Sequence, residues 1–404
     1  MPSPEAPSAL NSRNTLPIAA CMLALFTTIL ASHMPTPLYA VWQQNWGFSA
    51  TALTAVFSVY VLGVVITLLT LGSLSDQLGR RQVLVPGLLF ILSGSIIFML
   101  AGDIYELALA RLLTGIGTGM VTGAATAAVV ELEPDGNWAR GAILTALAFT
   151  LGAATGPTVS SLMLRWTDHG DVWPFLVAVA LCITTLIMLI SAPWPANLGQ
   201  RQPGFRLRAW RPTPIKVPRA LLGIFLFAAA AISLAWSTGS LYSSLGPTLA
   251  RELIGIDDLA MAGLFAAAWQ LVAGLSQFAA QRQPLNRLII AGPLLLITGL
   301  LALGGAVWQA SVWLFIAATL ITGMAAGAIG VVATVSIARA APPAERGATT
   351  SAFYLAAYLT MATVVLSIGF ASDQIGLVNS MLGFIGLICC AALSIMLLRH
   401  RLQP

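Results

Sequence analysis

GSLSDQLGRR, residues 72–81, is a short polar stretch between two long apolar runs, 51–71 before it and 83–101 after it. Each run is long enough to cross a bilayer as a helix, which takes about 20 residues. Gly72 and Gly79 allow two helix ends to turn tightly and approach closely. Asp76 and the pair Arg80–Arg81 set charge of both signs at the membrane edge, where it must find partners in the protein or among lipid headgroups. The stretch reads as a hairpin joining two membrane-spanning helices.

Composition extends this reading to the whole chain. Of its 404 residues, 58% are hydrophobic and only 8% charged, with a mean hydropathy of +0.89. A soluble domain carries about 25% charged residues, so the chain is a membrane protein. The net charge of +5 does not indicate a nucleic-acid partner, because the basic residues punctuate apolar spans and form no cluster on a soluble domain. Cys21, Cys182, Cys389 and Cys390 all lie in apolar runs, and the three histidines are scattered, so neither disulfides nor a metal site are expected. The phosphate-binding Gly-x-x-x-x-Gly-Lys, His-Glu-x-x-His and nucleophile-elbow patterns are absent, which argues against ATP-driven transport and against an enzyme.

Successive apolar runs predict twelve spans: 16–39, 49–71, 83–101, 104–130, 142–164, 172–192, 220–242, 259–280, 288–307, 312–338, 348–371 and 378–398. Residues 193–219 carry six basic residues and several prolines and read as a connector. The expected organisation is a tail (1–15), a six-helix half (16–192), the connector (193–219), a second six-helix half (220–398) and a final tail (399–404). The tail before the first span carries no cleavage pattern, so that span is expected to be retained. Arg13, Arg80, Arg81, Arg140, the connector, Arg282, Arg287, Arg339, Arg346, Arg399 and Arg401 fall on one side, with only Arg165 and Arg251 opposite. The excess of basic residues assigns both termini to the cytoplasm. Thr114-Gly115 and Thr322-Gly323 open similar small-residue helices that end before Arg140-Gly141-Ala142 and Arg346-Gly347-Ala348, so the halves read as repeats.

The pattern Gly72-x-Leu74-x-Asp76-x-x-Gly79-Arg80-Arg81, placed between the second and third spans, resembles the signature loop of the major facilitator superfamily of transporters. Gln77 stands where that loop usually has a basic residue. Arg111, followed by Gly115, Gly117 and Gly119 in the fourth span, is similar to the family's second motif, associated with substrate binding or proton transfer. Gly152, Gly156 and Pro157 in the fifth span resemble a motif of the antiporter branches, with Ser160 and Ser161 in place of two further glycines. The resemblance implies twelve helices in two pseudo-symmetric halves that rock about a central site. It further implies that Asp76 caps a facing helix of the second half, and that Arg80, Arg81 and Arg140 gather about Glu131 as an inner gate.

Inside the spans, an arginine at the depth of Arg111 is costly in lipid; it faces the bundle interior or snorkels to the headgroups. Tyr354 and Tyr358 share a helix face, and with Tyr60, Trp236, Trp269 and Gln270 they are candidates to line a central aromatic cavity. One cation without a central acid suits neutral or anionic amphipathic substrates better than polycations. No Asp or Glu lies in the middle of a span, so His33, ahead of Pro35 and Pro37, joins Asp76 and Glu131 as a candidate proton carrier. The expected activity is efflux of small drugs or metabolites by a monomeric proton antiporter of a bacterial inner membrane. It would need no cofactor beyond the proton gradient. Nutrient import by symport is the alternative, and a non-transporting scaffold a remote one.

Overall fold

The computed structural model describes residues 15–71, 74–134, 136–195, 198, 217–342 and 346–398. Gly72, both tails and nearly all of the connector lie outside them. Among the described residues twelve helices are long and apolar enough to cross a membrane. In order they are Thr15–Trp46, Ala50–Leu71, Arg80–Leu100, Ile104–Leu132, Trp138–Trp166, Trp173–Ser191, Arg219–Ser244, Leu259–Ala280, Leu285–Gln309, Val312–Ala340, Ala348–Ile375 and Leu377–Leu397, numbered here as spans one to twelve. Several start on a side-chain cap that takes up an orphan N–H of the first turn. Asp103, Asn137, Asp258 and Ser311 accept from Glu106, Arg140, Ala260 and Leu314 respectively.

Two spans differ from their sequence reading. Span one does not stop at Tyr39 but breaks at Met34 and resumes as Pro35–Trp46. Pro35 and Pro37 lack the N–H groups that the carbonyls of Ala31 and His33 would receive in a continuous helix. Span seven breaks at Leu245 and continues as Gly246–Glu252, with Pro247 at the restart. Each half therefore begins with a broken helix.

The two halves repeat one packing scheme. Span four packs against spans one, two and three, as span ten does against seven, eight and nine. Spans one and five, and three and six, are matched by seven and eleven, and nine and twelve. Between the halves, span two lies on span eleven and span five on span eight. Glycines permit these approaches. A Cβ on Gly63 of span two would meet the Leu112 carbonyl oxygen of span four at 2.6 Å and the Ile116 nitrogen at 2.8 Å. One on Gly152 would meet the Phe26 carbonyl oxygen at 2.6 Å, and one on Gly156 the Met34 nitrogen at 3.1 Å, so the fifth-span motif packs against the break in span one.

At the far end, opposite the start of span three, hydrogen bonds and an ion pair join the two halves. Arg165 pairs with Asp258 at 2.6 Å, Thr248 donates to Gln43 at 3.2 Å, and Ala50 and Thr51 donate to Asp373 at 3.0 and 2.9 Å. The molecule is closed at that end.

Candidate functional site

Arg111 lies about one-quarter of the way into span four and is 1% exposed, so it does not snorkel. Its Nε–H donates to the Tyr39 hydroxyl, and Nη1–H donates at 2.7 Å to the Ser32 carbonyl oxygen beside the break in span one. The rings of Tyr39, Phe57, Tyr60 and Phe98 surround the guanidinium, with centroids 5.1, 5.7, 5.6 and 5.7 Å from Cζ. The charge is held by ring faces, a phenol and a carbonyl, with no carboxylate among its partners. Next to it, the Ser32 and Thr118 hydroxyls are 2.9 Å apart. His33 Nδ1 lies 2.9 Å from the Ile29 carbonyl oxygen, so that nitrogen carries the proton and Nε2 is left as an acceptor when the ring is neutral.

The second half repeats this pocket without the charge. Counting from the paired Thr-Gly steps, Thr319 occupies the place of Arg111. Thr322 lies 3.5 Å from the Tyr242 hydroxyl, and Trp269 Nε1–H donates to Thr322 at 3.1 Å. Trp269 stacks on Tyr242 at 5.9 Å and is 5% exposed. It is therefore interior packing of the second half and does not line a central cavity. An indole N–H must find an acceptor when buried, and Thr322 supplies it.

The other aromatic candidates do come together where the halves face each other. Trp236 meets Tyr358 edge-on at 4.7 Å and stacks on Tyr354 at 5.8 Å. Tyr60 of the first half lies on span two, which packs against span eleven, the span of Tyr354 and Tyr358. All four are partly exposed: Trp236, Tyr354 and Tyr358 form one ring cluster in the second half, and Tyr60 flanks Arg111 in the first. Gln270 makes only a long contact of 3.4 Å to the Ser243 hydroxyl.

At the hairpin end, Arg80 grips Glu131 with two parallel bonds, Nε to Oε2 at 3.0 Å and Nη2 to Oε1 at 2.5 Å, and donates to the Ser75 hydroxyl at 2.6 Å. The other two arginines do not gather on Glu131. Arg81 donates to the Ile190 carbonyl oxygen at 2.9 Å, and Arg140 pairs with Glu133 at 3.4 Å. Span five starts at Trp138, five residues beyond Glu133, and Arg140 lies in its first turn, within reach of that carboxylate. Gly79, with φ of 93°, provides the turn into span three. Asp76 falls in the short helix Leu74–Leu78, and its side chain lies outside the described residues.

Sequence alone did not single out Tyr39, Asp373, Arg165 or Asp258. Tyr39 sits at a break that the two prolines signal, but its partner is 72 positions away.

An all-helical bundle of two repeated halves, with polar and aromatic side chains where they face each other, is the architecture of a membrane carrier. The family model of the Major Facilitator Superfamily matches residues 21–300, and the chain belongs to that family: it is a membrane transporter and not an enzyme. Among curated proteins it is 26% identical over 249 residues to MdtD of Shigella boydii serotype 4, a protein named for multidrug resistance, covering 61% of this chain and 45% of MdtD. It is 28% identical over 174 residues to the chloramphenicol resistance protein CraA of Acinetobacter baumannii, covering 43% of this chain and 41% of CraA. The matches thus span less than half the length of either relative. Among solved structures, a POT family transporter in complex with 5-aminolevulinic acid superposes with a TM-score of 0.77 at 15% identity, over 96% of this chain and 97% of that one. A bacterial homologue of the human lysosomal transporter Spinster gives 0.76 at 14% identity, over 98% of both chains. These two likenesses show the fold.

Proposed function

We propose that the chain is a secondary carrier of the cytoplasmic membrane that exports small amphipathic molecules by alternating access, exchanging them for protons. The observation that carries this reading is the partly exposed ring series Trp236, Tyr354 and Tyr358 of the second half, on spans seven and eleven, with span eleven packed against span two, which bears Tyr60. Partly exposed ring faces and phenol hydroxyls suit a flat, partly apolar guest, neutral or anionic. The names of MdtD and CraA favour export of drug-like compounds over nutrient uptake.

In the proposed orientation both termini and the hairpin face the cytoplasm, so the far-end-closed arrangement is the inward-facing, loading state. A guest enters between the halves and contacts the rings, and the halves then rock to expose it to the far side. His33 is the proposed proton carrier, because it is the titratable imidazole at a helix break beside Gly156, where local bending changes its access. Asp76 and Glu131 belong to the hairpin-end gate, with Arg80 clamping the end of span four. One chain supplies both halves, so a monomer suffices, with the proton gradient as energy source and no cofactor.

The test is proton flux in inverted vesicles loaded with a pH-sensitive dye, with chloramphenicol as the first probe. Addition of the drug is expected to release protons from acid-loaded vesicles of the wild type. His33→Ala is expected to abolish proton release while leaving downhill drug movement. Drug flux with no proton movement in the wild type overturns antiport, and proton entry together with drug would mean symport.

A further inference from the structure

On span eleven, the carboxylate of Asp373 reaches the start of span two in the other half. Its Oδ1 accepts from the Ala50 N–H at 3.0 Å and its Oδ2 from the Thr51 N–H at 2.9 Å. The Ser49 and Thr51 hydroxyls face the same carboxylate. The two N–H groups belong to the first turn of span two, where a helix has no carbonyl to receive them and where its dipole is positive. One turn before Asp373, Gly369 lets the two backbones close up. A Cβ there would meet the Ala50 carbonyl oxygen at 2.7 Å and would collide with Thr54. The other bridges between the halves are an ion pair between the exposed Arg165 and Asp258 and a bond between the neutral groups of Thr248 and Gln43; Asp373, exposed as well, is the one that joins a carboxylate to backbone N–H groups of the opposite half.

We infer that Asp373 is a gating residue, which sets how long the far end stays closed by capping span two from the opposite half. The cap exists only while spans two and eleven touch. Separation of the far ends breaks both bonds and returns the carboxylate and the two N–H groups to water. The charge of Asp373 is favoured at the positive end of span two over water by a net margin, and that margin biases the transporter toward the far-end-closed state. Asp373 touches neither the ring series nor Arg111, so it acts on conformation and not on the cargo. The inference rests on the alternating-access part of the proposed function and on neither its direction nor its coupling.

The test is hydrogen–deuterium exchange on the full chain in lipid nanodiscs, without substrate, for wild type, Asp373→Asn and Gly369→Ala. Asparagine keeps the shape and one acceptor but removes the charge, whereas alanine at 369 forces the two backbones apart by volume alone. For Asp373→Asn, exchange at residues 50–57 is expected to rise about two- to fivefold, the factor a charged cap adds over a neutral one at an exposed helix start. Exchange near residues 125–132, at the hairpin end, is expected to fall, because the halves close there as the far end opens. Gly369→Ala is expected to give the same opposed pair of changes. If Gly369→Ala gives opposed changes and Asp373→Asn gives none, alternation stands and the role of Asp373 is overturned. Parallel increases at both ends in Asp373→Asn reduce it to a residue that only stabilises the fold, which also overturns the inference. If neither variant produces opposed changes, the alternating-access reading fails and this inference with it.

Discussion

The Arg111 pocket allows a quantitative test by a double-mutant cycle on Tyr39 and Arg111. Tyr39→Phe removes the hydroxyl that receives the Nε–H but leaves the ring, whose centroid is 5.1 Å from Cζ. The expected loss is that of one hydrogen bond to a charged group, about 1.5–3 kcal/mol. Arg111→Met removes the bonds and the charge together, so the cost of keeping an ion away from water disappears with them. What remains is the Tyr39 hydroxyl, buried without its donor, at about 1–3 kcal/mol. Combining the two removes both members at once, so the double variant is expected to fall short of the sum of the singles by about 1.5 kcal/mol or more. Arg111→Lys, which keeps the charge but loses the planar fork, is expected to be the most damaging single change. The assay is reversible unfolding in bicelles titrated with sodium dodecyl sulfate. Additivity of the two singles within about 0.5 kcal/mol would show that the contact does not carry the energy assigned to it.

Two tryptophans deep in the spans should separate by phenotype. Trp236→Ala is expected to weaken the apparent affinity for exported compounds about 3- to 10-fold with little loss of stability, measured by transport kinetics and thermal unfolding. Trp269→Ala is expected to lower stability by about 3–5 kcal/mol, and in a compensated, refolded preparation to leave affinity unchanged. A shared phenotype would undo the division between interface ring and interior ring. Gly63→Ala puts a methyl against backbone atoms of span four that no rotamer change can move, so a loss of about 1–3 kcal/mol in bicelle unfolding is expected. Gly123→Ala, whose Cβ would meet nothing within 4 Å, serves as the control and should be neutral or slightly stabilising.

The span count and the two-half plan were legible because each helix must hide its backbone polar groups from lipid, which requires long uninterrupted apolar runs. Arg111 was legible for the complementary reason, as an ion where ions are expensive. Its partners were not: Ser32 and Tyr39 are ordinary in a local window, and only the crossing of spans one and four brings them to the guanidinium. The break at Met34 could be read from Pro35 and Pro37, whereas the matching break at Leu245 carries a single Gly246-Pro247 step within an apolar run. Trp269 and Trp236 look alike in sequence, and their opposite placement depends on which helix face meets Thr322 and which meets Tyr358. Arg165 reads correctly as a charge on the far side, but a charge count cannot pair it with Asp258, 93 positions away, nor Asp373 with the start of span two, 322 positions away. Around Glu131 the expected gathering of three arginines reduces to one, because Arg140 turns to Glu133 and Arg81 to the Ile190 carbonyl.

The anchoring of Arg111 entirely within the first half has an electrical consequence. Both of its hydrogen-bond acceptors and all four of its rings belong to spans one to four, so the charge travels with a rigid body and is not handed across the membrane. A voltage acts on a charge only through the distance it moves along the field, at about 2.3 kcal/mol per elementary charge per 100 mV for a full crossing. A rocking half displaces Arg111 by a small fraction of that path. Arg111 is then expected to add little to the transient charge movement of the rocking step, despite being an ion buried within the membrane.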